Sequence, residues 1–428
     1  MKIFFDTVGC RLNQSEIERL ANEFRALDHE IVGSPDHADL AIVNTCAVTV
    51  KAAADSRKKL RRAARKGARE VIATGCWATL YPDRAVDLEG VTSVISNNEK
   101  DALISMVLDI PRDKVSLLTL VREPLPGDRA RTRAFIKVQE GCDNNCTYCL
   151  TRVARGRSTS HNLQEIQRDI QAALTGGTRE IVLTGVQLGA WGRDFSPPKR
   201  LDDLISSILS VQEVQRLRLS SIEPWDFELD YLALWKDERL CRHLHIPLQS
   251  GSDPILRKMG RPICHEEFEV LIKRIRDAIP GVAVTTDVIA GFPGETEEEF
   301  NTTLDFIKQI NFAGGHVFTY SPRPGTAAYN MMEKVPVLKA KARNAKLREV
   351  FKKTGRNYRD QFIGEHLPVL WESSKLNPQG TWDLSGLTDN YVRVYATAES
   401  DFWNEIIQVH LEAHHPRRQA LFGTIITD

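Results

Sequence analysis

The sequence lacks a net charge, because 57 lysines and arginines balance 57 aspartates and glutamates among its 428 residues. That balance excludes electrostatic attachment of the whole chain to nucleic acid, so any such contact must use a local patch. The sequence also lacks apolar runs of about 18 residues, which argues against a membrane-spanning helix. Its start, MKIFFDTVGC, has no long apolar core of the kind that a signal sequence carries. With eight cysteines, these absences indicate a reducing, cytoplasmic location, where clustered thiols are more often metal ligands than disulfides.

Residues 1–120 show short apolar strands alternating with amphipathic helices, which is the pattern of a parallel α/β domain. The strand candidates are KIFFDTV, ADLAIVNT, EVIATG and VTSVIS. NQSEIERLANEFRAL has helical periodicity after the first strand, and NEKDALISMVLDI is predicted to close the domain as a helix. The stretch from Arg122 to Thr132, with two prolines, a glycine and several charges, is typical of a linker.

Residues 131–360 repeat the strand–helix rhythm about six times, which predicts a partial, open barrel of the (β/α)6 type. Functional residues of such barrels gather at the carboxyl ends of the strands. A charged helix, VPVLKAKARNAKLREVFKKTGRNYRDQF, leads to residues 362–428, where four short strands separated by turns predict a small β-barrel. Such a barrel is a common nucleic-acid-binding appendage, although a purely structural β cap would show the same pattern.

The segment EGCDNNCTYCL carries three cysteines after the first predicted strand of the barrel: Cys142, Cys146 and Cys149. Short-loop cysteine spacings are the signature of iron–sulfur clusters, and three thiolates leave one iron of a four-iron cluster free for a substrate or cofactor. The alternative is a zinc knuckle that a distant residue such as His161 completes. We refer to these three residues as the loop cysteines.

Three further cysteines each follow a predicted amino-terminal strand: Cys10, Cys46 and Cys76. Because parallel strands end at the same edge of a sheet, we expect these thiols to meet there and to hold a second cluster with an open iron. For any one of them, the alternative is an ordinary buried cysteine. We refer to the three as the amino-terminal cysteines. Cys241 and Cys264 have no partner spacing and are interpreted as ordinary thiols.

The CxxxCxxC spacing after the first barrel strand resembles the radical S-adenosylmethionine (SAM) superfamily, with the aromatic Tyr148 before the last cysteine. The resemblance implies that the open iron chelates the amino and carboxylate groups of SAM. An electron from the cluster then cleaves SAM to methionine and a 5′-deoxyadenosyl radical, so that the cofactor carries out the difficult chemistry.

Two three-cysteine sites followed by a terminal β-barrel resemble the methylthiotransferases over the whole chain, with a TRAM domain at the end. Further matching segments are ARGRSTS, IVLTGVQLGAWG, SSIEP, LHIPLQSGSD, GFPGETEEEF and YSPRPGTAA. This resemblance implies two [4Fe-4S] clusters and replacement of a C–H bond by C–S–CH3. One SAM methylates a sulfur on the second cluster and another SAM supplies the radical. The sequence departs from the family at Thr79, where glutamine is usual, and in the Leu-Thr pair after Cys149.

Several polar residues at predicted strand ends are candidates for SAM contacts: Glu223, Gln249, Ser250, Asp287 and Arg155. Glu223 would offset the positive charge of SAM, and Asp287 lies where the family places a ribose or methionine contact. Arg155 and its neighbour Arg157 are candidates for pairing with a carboxylate, either of SAM or of the substrate. For each residue taken alone, a surface or helix-capping role explains its presence equally well.

The stretch SRKKLRRAARKGAR, between two of the amino-terminal cysteines, has eight basic residues and no acidic one. It predicts a basic helix near the active crevice that contacts an RNA backbone through Arg61, Arg62 and Arg65. The alternative is a solvated helix face. Together with the β-barrel, this helix favours RNA as the partner, and the family resemblance implies tRNA, at its anticodon stem-loop.

The segment TVGCRLNQSE resembles the family branch that modifies threonylcarbamoyladenosine 3′ of the tRNA anticodon. The branches that act on isopentenyladenosine or on a ribosomal-protein aspartate remain alternatives, as does a non-catalytic iron–sulfur protein that binds RNA. The resemblance also implies an electron donor such as flavodoxin or ferredoxin, and a sulfur donor.

Overall fold

The computed structural model describes residues 1–111, 114–115, 120–126 and 132–426. Within these limits the chain forms two compact units. The first comprises Met1–Asn144, Leu150–Gln187 and Trp191–Lys199, and the second comprises Asn145–Cys149, Leu188–Ala190 and the chain from Arg200 onward. The linker predicted at 122–132 lies partly outside the described residues, and the finer division into three domains stays a prediction.

The first unit contains a five-stranded parallel sheet in the order β2-β1-β3-β4-β5. A second parallel pair joins β6 to β9, and β7 and β8 form a short antiparallel pair. The strands are Lys2–Thr7 (β1), Glu30–Val32 (β2), Leu40–Thr45 (β3), Glu70–Gly75 (β4), Ser93–Ile95 (β5), Arg133–Lys137 (β6), Gln139–Glu140 (β7), Thr159–Ser160 (β8) and Glu180–Thr184 (β9).

The helices of the first unit cover the sheet because their apolar residues recur on one face. They are Arg11–Arg25 (α1), Val50–Arg65 (α2), Cys76–Leu80 (α3), Pro82–Val86 (α4), Leu103–Leu108 (α5), Thr151–Arg155 (α6) and Leu163–Thr175 (α7). In the central strand β3, Leu40 and Ile42 belong to one hydrophobic core with α1, whereas Ala41 and Val43 belong to another with α2. Because side chains alternate along a strand, β3 contributes apolar residues to two cores, one on each face of the sheet.

The second unit continues the alternation of strands and helices. Strands β11, β12 and β13 are adjacent and parallel. The elements are Leu201–Leu209 (α8), Arg216–Leu219 (β10), His243–His245 (β11), Asp253–Lys258 (α9), His265–Ala278 (α10), Ala283–Ala290 (β12), Glu297–Ile310 (α11), Gly314–Thr319 (β13) and Val337–Asp360 (α12). No helix in the described part of the chain combines the length and the apolar character needed to cross a membrane.

The chain ends in a closed five-stranded barrel in the order β14-β15-β16-β18-β17. Its core includes Val369, Trp371, Val394, Val409 and Leu411. The strands are His366–Leu376 (β14), Trp382–Thr388 (β15), Arg393–Ala398 (β16), Ile406–His414 (β17) and Leu421–Ile425 (β18). The mixed α/β class, the parallel amino-terminal sheet and the terminal β-barrel are confirmed.

Three strands escape the sequence prediction: β2, β8 and β15, of which β8 has only two residues. β2 has only three residues, too few to show an alternating pattern. β15, in the sequence WDLSGLT, carries the serine, glycine and aspartate typical of a loop, yet Leu384 and Leu387 are buried. The helix predicted at 98–110 divides into a 3-10 helix, Asn97–Ala102, and α5, and a capping box of Ser96 and Glu99 fixes the start of the 3-10 helix.

Candidate active site

The amino-terminal cysteines lie at the carboxyl ends of three neighbouring parallel strands. Cys10 follows β1 by three residues, Cys46 directly follows β3, and Cys76 directly follows β4. A Cβ atom on Gly9 would lie 2.6 Å from the Cys46 sulfur, so the loop that carries Cys10 passes directly against Cys46. Burial raises the pKa of the Cys46 thiol to about 11, and the charges of Cys10 and Cys76 act in the same direction. The structure thus brings the three thiols together, as the sequence pattern predicts.

Two polar side chains fix the strand ends from which these cysteines project. The Asn13 Nδ2 atom donates to the carbonyl oxygens of Val8, at 2.8 Å, and Thr45, at 3.1 Å. The Ser56 hydroxyl, on α2, accepts a hydrogen bond from the backbone N–H of Cys46 at 2.9 Å. The sequence analysis names neither residue as part of the site, although Asn13 stands within the quoted segment TVGCRLNQSE.

Arg155 has different surroundings from those expected of a SAM-binding residue. Its guanidinium is buried and contacts Glu16 at 2.8 Å and Glu140 at 2.5 Å. It also donates from Nη2 to the Asn13 Oδ1 atom at 2.6 Å and from Nε to the Cys76 sulfur at 3.3 Å. Arg155 therefore belongs to the amino-terminal cysteine site. These four contacts occupy the guanidinium, and its pairing with a carboxylate of SAM or of the substrate stays a prediction. Arg157, two residues on, is exposed.

The amino-terminal cysteines suit an iron–sulfur cluster better than a single metal ion. Among the described residues, no group of three His, Cys, Asp or Glu side chains is arranged to hold one ion. A four-iron cluster makes a different demand, since each cysteine binds a separate iron, and three thiolates are the donor set that leaves one iron open. On two of the same strands, the hydroxyls of Thr7 and Thr74 are buried and have no partner within the described part of the chain. The residues present fit such a cluster.

The first loop cysteine is held by its backbone. The Cys142 N–H donates to the carbonyl oxygen of Gly156 at 3.2 Å. Gly141, with a φ of +71°, passes so close to the opposing segment that a Cβ atom would lie 1.9 Å from the carbonyl oxygen of Arg157. Only glycine fits this approach, so the segment before Cys142 is pinned against the end of α6.

His161 does not complete a zinc knuckle. Its Nδ1 atom lies 3.3 Å from the Glu165 carboxylate, and its backbone N–H donates to Val138 at 2.9 Å.

The other two loop cysteines lie in the second unit, in a tightly anchored turn. The Cys149 N–H donates to the Cys146 carbonyl oxygen at 3.1 Å. Between them, the Thr147 N–H donates to Met259 at 2.9 Å, and its carbonyl oxygen accepts from Ala328 at 2.8 Å. Backbone hydrogen bonds on both sides of Thr147 hold the two thiols in a defined place.

Tyr148 is half-buried and packs edge-on against Phe292, with 6.2 Å between the ring centroids. Burial raises the pKa of its hydroxyl well above the usual value, so the phenol stays protonated. Burial also raises the pKa of the Cys146 thiol, whereas the positive charge of Arg261 and a hydrogen bond with Tyr148 oppose this increase. Tyr148 therefore supports Cys146 directly.

Arg261 belongs to this site although the sequence analysis does not identify it. Its Nη2 atom contacts the Glu223 carboxylate at 2.7 Å and the carbonyl oxygen of Pro247 at 2.6 Å. Its guanidinium lies over the Trp225 ring, 4.6 Å from the centroid. Glu223 is thus held by a buried cation beside the loop cysteines. The only signal in the sequence is an arginine between a glycine and a proline after α9, which does not reveal its partners.

Gln249, in the segment after β11, pairs with the part of β12 that contains Asp287. The Gln249 N–H donates to the Asp287 carbonyl oxygen at 2.8 Å, and Ile289 donates back to Gln249 at 2.9 Å. One carboxylate oxygen of Asp287 lies 3.4 Å from His245. The other, Oδ1, is buried and has no partner in the described part of the chain. Asp287 therefore retains an acceptor for a ligand hydroxyl.

Ser250 has a local structural contact instead. Its hydroxyl lies 3.1 Å from that of Thr303 on α11 and accepts from the Ser252 N–H at 3.2 Å. The side chain is fully buried. Its observed role is to fix the turn after β11.

Arg61, Arg62 and Arg65, the α2 arginines, are exposed, but they do not lie at the cysteine edge of the sheet. Ser56 contacts Cys46, and at about 1.5 Å per residue the three arginines lie roughly 8 to 14 Å further along the helix. Beyond them, Lys66 pairs with Asp36 at 3.1 Å, before the start of β3. The expectation that they flank the active crevice is therefore corrected, because α2 runs back from the cysteine edge as a crossover helix must.

The remaining cysteines lie apart from these sites. Cys241 is buried before β11. Cys264 caps α10, and its N–H donates to Glu267 at 2.9 Å. Both positions agree with ordinary thiols.

Comparison with known proteins identifies the class of protein that this fold and these loop cysteines define. Residues 136–307 match the radical SAM superfamily, and residues 2–96 match an uncharacterized protein family, UPF0004. In structure, the chain resembles the radical SAM methyltransferase TsrM from Kitasatospora setae, with a TM-score of 0.60 at 14% identity over 77% of this chain and 75% of TsrM. The predicted radical SAM fold is confirmed.

Similarity over the full length then gives the family. The chain is 34% identical to threonylcarbamoyladenosine tRNA methylthiotransferase MtaB of Bacillus subtilis, over 100% of this chain and 97% of MtaB. The Thermotoga maritima MtaB is 37% identical over 91% and 89%. The tRNA-2-methylthio-N(6)-dimethylallyladenosine synthase of Clostridium tetani is 30% identical over 95% and 93%. The chain belongs to the radical SAM methylthiotransferase family.

Proposed function

We propose that this enzyme converts N6-threonylcarbamoyladenosine, 3′ of the tRNA anticodon, to its 2-methylthio derivative, using SAM and two [4Fe-4S] clusters. The observation that carries the proposal is the convergence of Cys10, Cys46 and Cys76 at one sheet edge, in a chain that also has the radical SAM loop. An ordinary radical SAM enzyme needs only the loop cysteines. A second set of three thiols supports a second cluster, which suits sulfur transfer.

In this proposal the loop cysteines bind the cluster that, with SAM, supplies one-electron reductive cleavage. The chain's own residues bind and orient SAM around it. Glu223, held by Arg261, offers a fixed negative charge to the sulfonium. Asp287 offers its unpaired Oδ1 atom to a ribose hydroxyl, because a buried acceptor without a partner favours a ligand donor. Gln249 and Ser250 shape the segment after β11, and Tyr148 forms a hydrogen bond with Cys146.

The substrate assignment comes from the relatives and from the segment around Cys10. The relatives from Bacillus subtilis and Thermotoga maritima, whose printed names specify threonylcarbamoyladenosine, are 34% and 37% identical to this chain. The dimethylallyladenosine enzyme from Clostridium tetani is 30% identical. The segment TVGCRLNQSE supports the same choice of branch.

The partners follow from this assignment. The anticodon stem-loop is the substrate site, and the exposed α2 arginines and the terminal β-barrel are proposed to bind more distant parts of the tRNA. A low-potential electron donor such as flavodoxin or ferredoxin and a sulfur donor are required by the chemistry. A tRNA substrate implies action in the cytoplasm. The proposed domains are residues 1–120, 131–360 and 362–428.

The test is nucleoside mass spectrometry of tRNA from a host that lacks its own enzyme. Expression of this chain should produce 2-methylthio-N6-threonylcarbamoyladenosine, and a variant with all three amino-terminal cysteines changed to alanine should not. Methylthiolated isopentenyladenosine, or a modified ribosomal-protein aspartate, would contradict the substrate and leave the chemistry standing. Absence of 5′-deoxyadenosine after incubation of the iron-loaded protein with SAM and dithionite would instead favour a non-catalytic RNA-binding protein.

A further inference from the structure

The short helix α6 brings a buried cation against the amino-terminal cysteines. Arg155, its last residue, directs Nε at the Cys76 sulfur at 3.3 Å. Its Nη2 atom donates at 2.6 Å to the Asn13 Oδ1 atom, which lies 3.7 Å from the Cys10 sulfur. One guanidinium therefore contacts one cysteine directly and orients the amide that lies beside a second.

Cys76 receives a second contact that is coupled to the same helix. The Asn97 Nδ2 atom lies 3.7 Å from the Cys76 sulfur and donates at 2.7 Å to the carbonyl oxygen of Ala154. The Thr79 hydroxyl accepts the Asn97 N–H at 2.9 Å and so fixes that residue. Thr79 is the position where the family usually has glutamine, and its role here is to hold a side chain that faces Cys76.

A buried network of charges determines where the guanidinium points. Glu16 contacts Arg155 at 2.8 Å and Lys100 at 2.7 Å. Glu140 contacts Arg155 at 2.5 Å and Lys137 at 2.9 Å. With both carboxylates engaged on the far side, the remaining Nε–H has the Cys76 sulfur as its acceptor. A planar guanidinium with several donors suits this task, whereas lysine has a single charged head.

We propose that Arg155 is a positioning residue that orients Cys76 and raises the reduction potential of the amino-terminal cluster. Hydrogen bonds to cluster sulfurs and nearby positive charge both stabilise the more negative, reduced state of an iron–sulfur cluster. The inference rests on the proposed second cluster and adds to it a residue outside the six cysteines. It also gives α6 a role at both sites, because the next residue, Gly156, accepts the Cys142 N–H at 3.2 Å.

The test is a redox titration, monitored by electron paramagnetic resonance, in a background that carries only the amino-terminal cluster. This background has alanine at the three loop cysteines. In it, R155Q should lower the equilibrium constant for reduction at least tenfold, which is about 59 mV for one electron. R155K, which keeps the charge but loses the Nε–H donor, should lie between R155Q and the parent. R157Q is the matched control, because Arg157 is exposed, and it should leave the potential unchanged.

Each outcome has a defined meaning. A fully iron-loaded R155Q variant with the parent potential overturns the role of Arg155 alone. A background protein that binds no iron overturns the second cluster, and the present inference with it. R155Q could lose iron because Glu16 and Glu140 are left unpaired. In that case the reduction potential of N97A is the deciding measurement, because this variant removes a donor to the same sulfur without exposing a buried charge. N97A should then lower the potential, and an unchanged value would refute the role of these contacts.

Discussion

Replacing Gly75 by alanine tests how the structure holds Cys46 and Cys76 together. Gly75 ends β4 with a φ of +91°, directly before Cys76. A Cβ atom there would lie 2.3 Å from the Asn44 Oδ1 atom and 2.4 Å from the Thr45 carbonyl oxygen, on the strand that leads into Cys46. The added methyl group must therefore push apart the two strand ends that carry these thiols.

The size of the effect can be separated into two parts. A positive φ of this kind costs a residue with a Cβ about 1–3 kcal/mol. Forced overlap in a packed interior adds about 1–3 kcal/mol. Gly67→Ala is the matched control, because Gly67 has a φ of +99° with nothing within 4 Å of an added Cβ. Both variants place a Cβ at a positive φ, so the difference between them reports the overlap alone. We therefore expect G75A to be less stable than G67A by about 1–3 kcal/mol.

Urea unfolding and iron analysis measure these two consequences. The unfolding midpoint of each variant reports its stability against the parent, provided that the slopes agree. After anaerobic reconstitution, G67A should keep about eight irons per chain, whereas G75A should keep about four, those of the loop cysteines. Equal midpoints and equal iron contents in the two variants would refute the claim that the close approach at Gly75 organises the amino-terminal site.

Alanine at the three loop cysteines should leave about four irons per chain and abolish SAM cleavage. Alanine at the three amino-terminal cysteines should also leave about four irons but preserve SAM cleavage. If this second variant keeps its full iron content, the proposal of a second cluster is refuted. Replacing the α2 arginines by glutamine should weaken tRNA binding. The slope of log affinity against log salt concentration should fall by about one unit per lost phosphate contact. Unchanged affinity and slope would instead indicate that these arginines form a solvated helix face. D389N should destabilise the protein by about 1–3 kcal/mol at pH 7, because Asp389 pairs with Arg242 at 2.7 Å. Burial alone would raise the pKa of Asp389, but the hydrogen bond and charge of Arg242 hold it below its usual value. The pair thus stabilises the fold above about pH 4, and the difference between D389N and the parent should shrink as the pH falls below that value in urea titrations. A difference that persists unchanged at lower pH would contradict this account.

The sequence alone predicts the class of fold and the cysteines because these depend on local patterns. The buried run of β3 and the apolar face of α1 are visible in periods of two and 3.6 residues. The convergence of Cys10, Cys46 and Cys76 also follows from the sequence, since the carboxyl ends of adjacent parallel strands must share an edge.

Only the tertiary structure decides which polar side chains meet. Arg155 is 139 residues from Glu16, with which it pairs, and Arg261 is 38 residues from Glu223. No local pattern encodes those distances, so the sequence gives Arg155 a plausible but different partner and passes over Arg261. The direction of α2, which carries the arginines Arg61, Arg62 and Arg65 away from the thiols, has the same origin. Periodicity reports which face of an element is buried, whereas ion pairs and hydrogen bonds depend on how distant elements are brought together by folding.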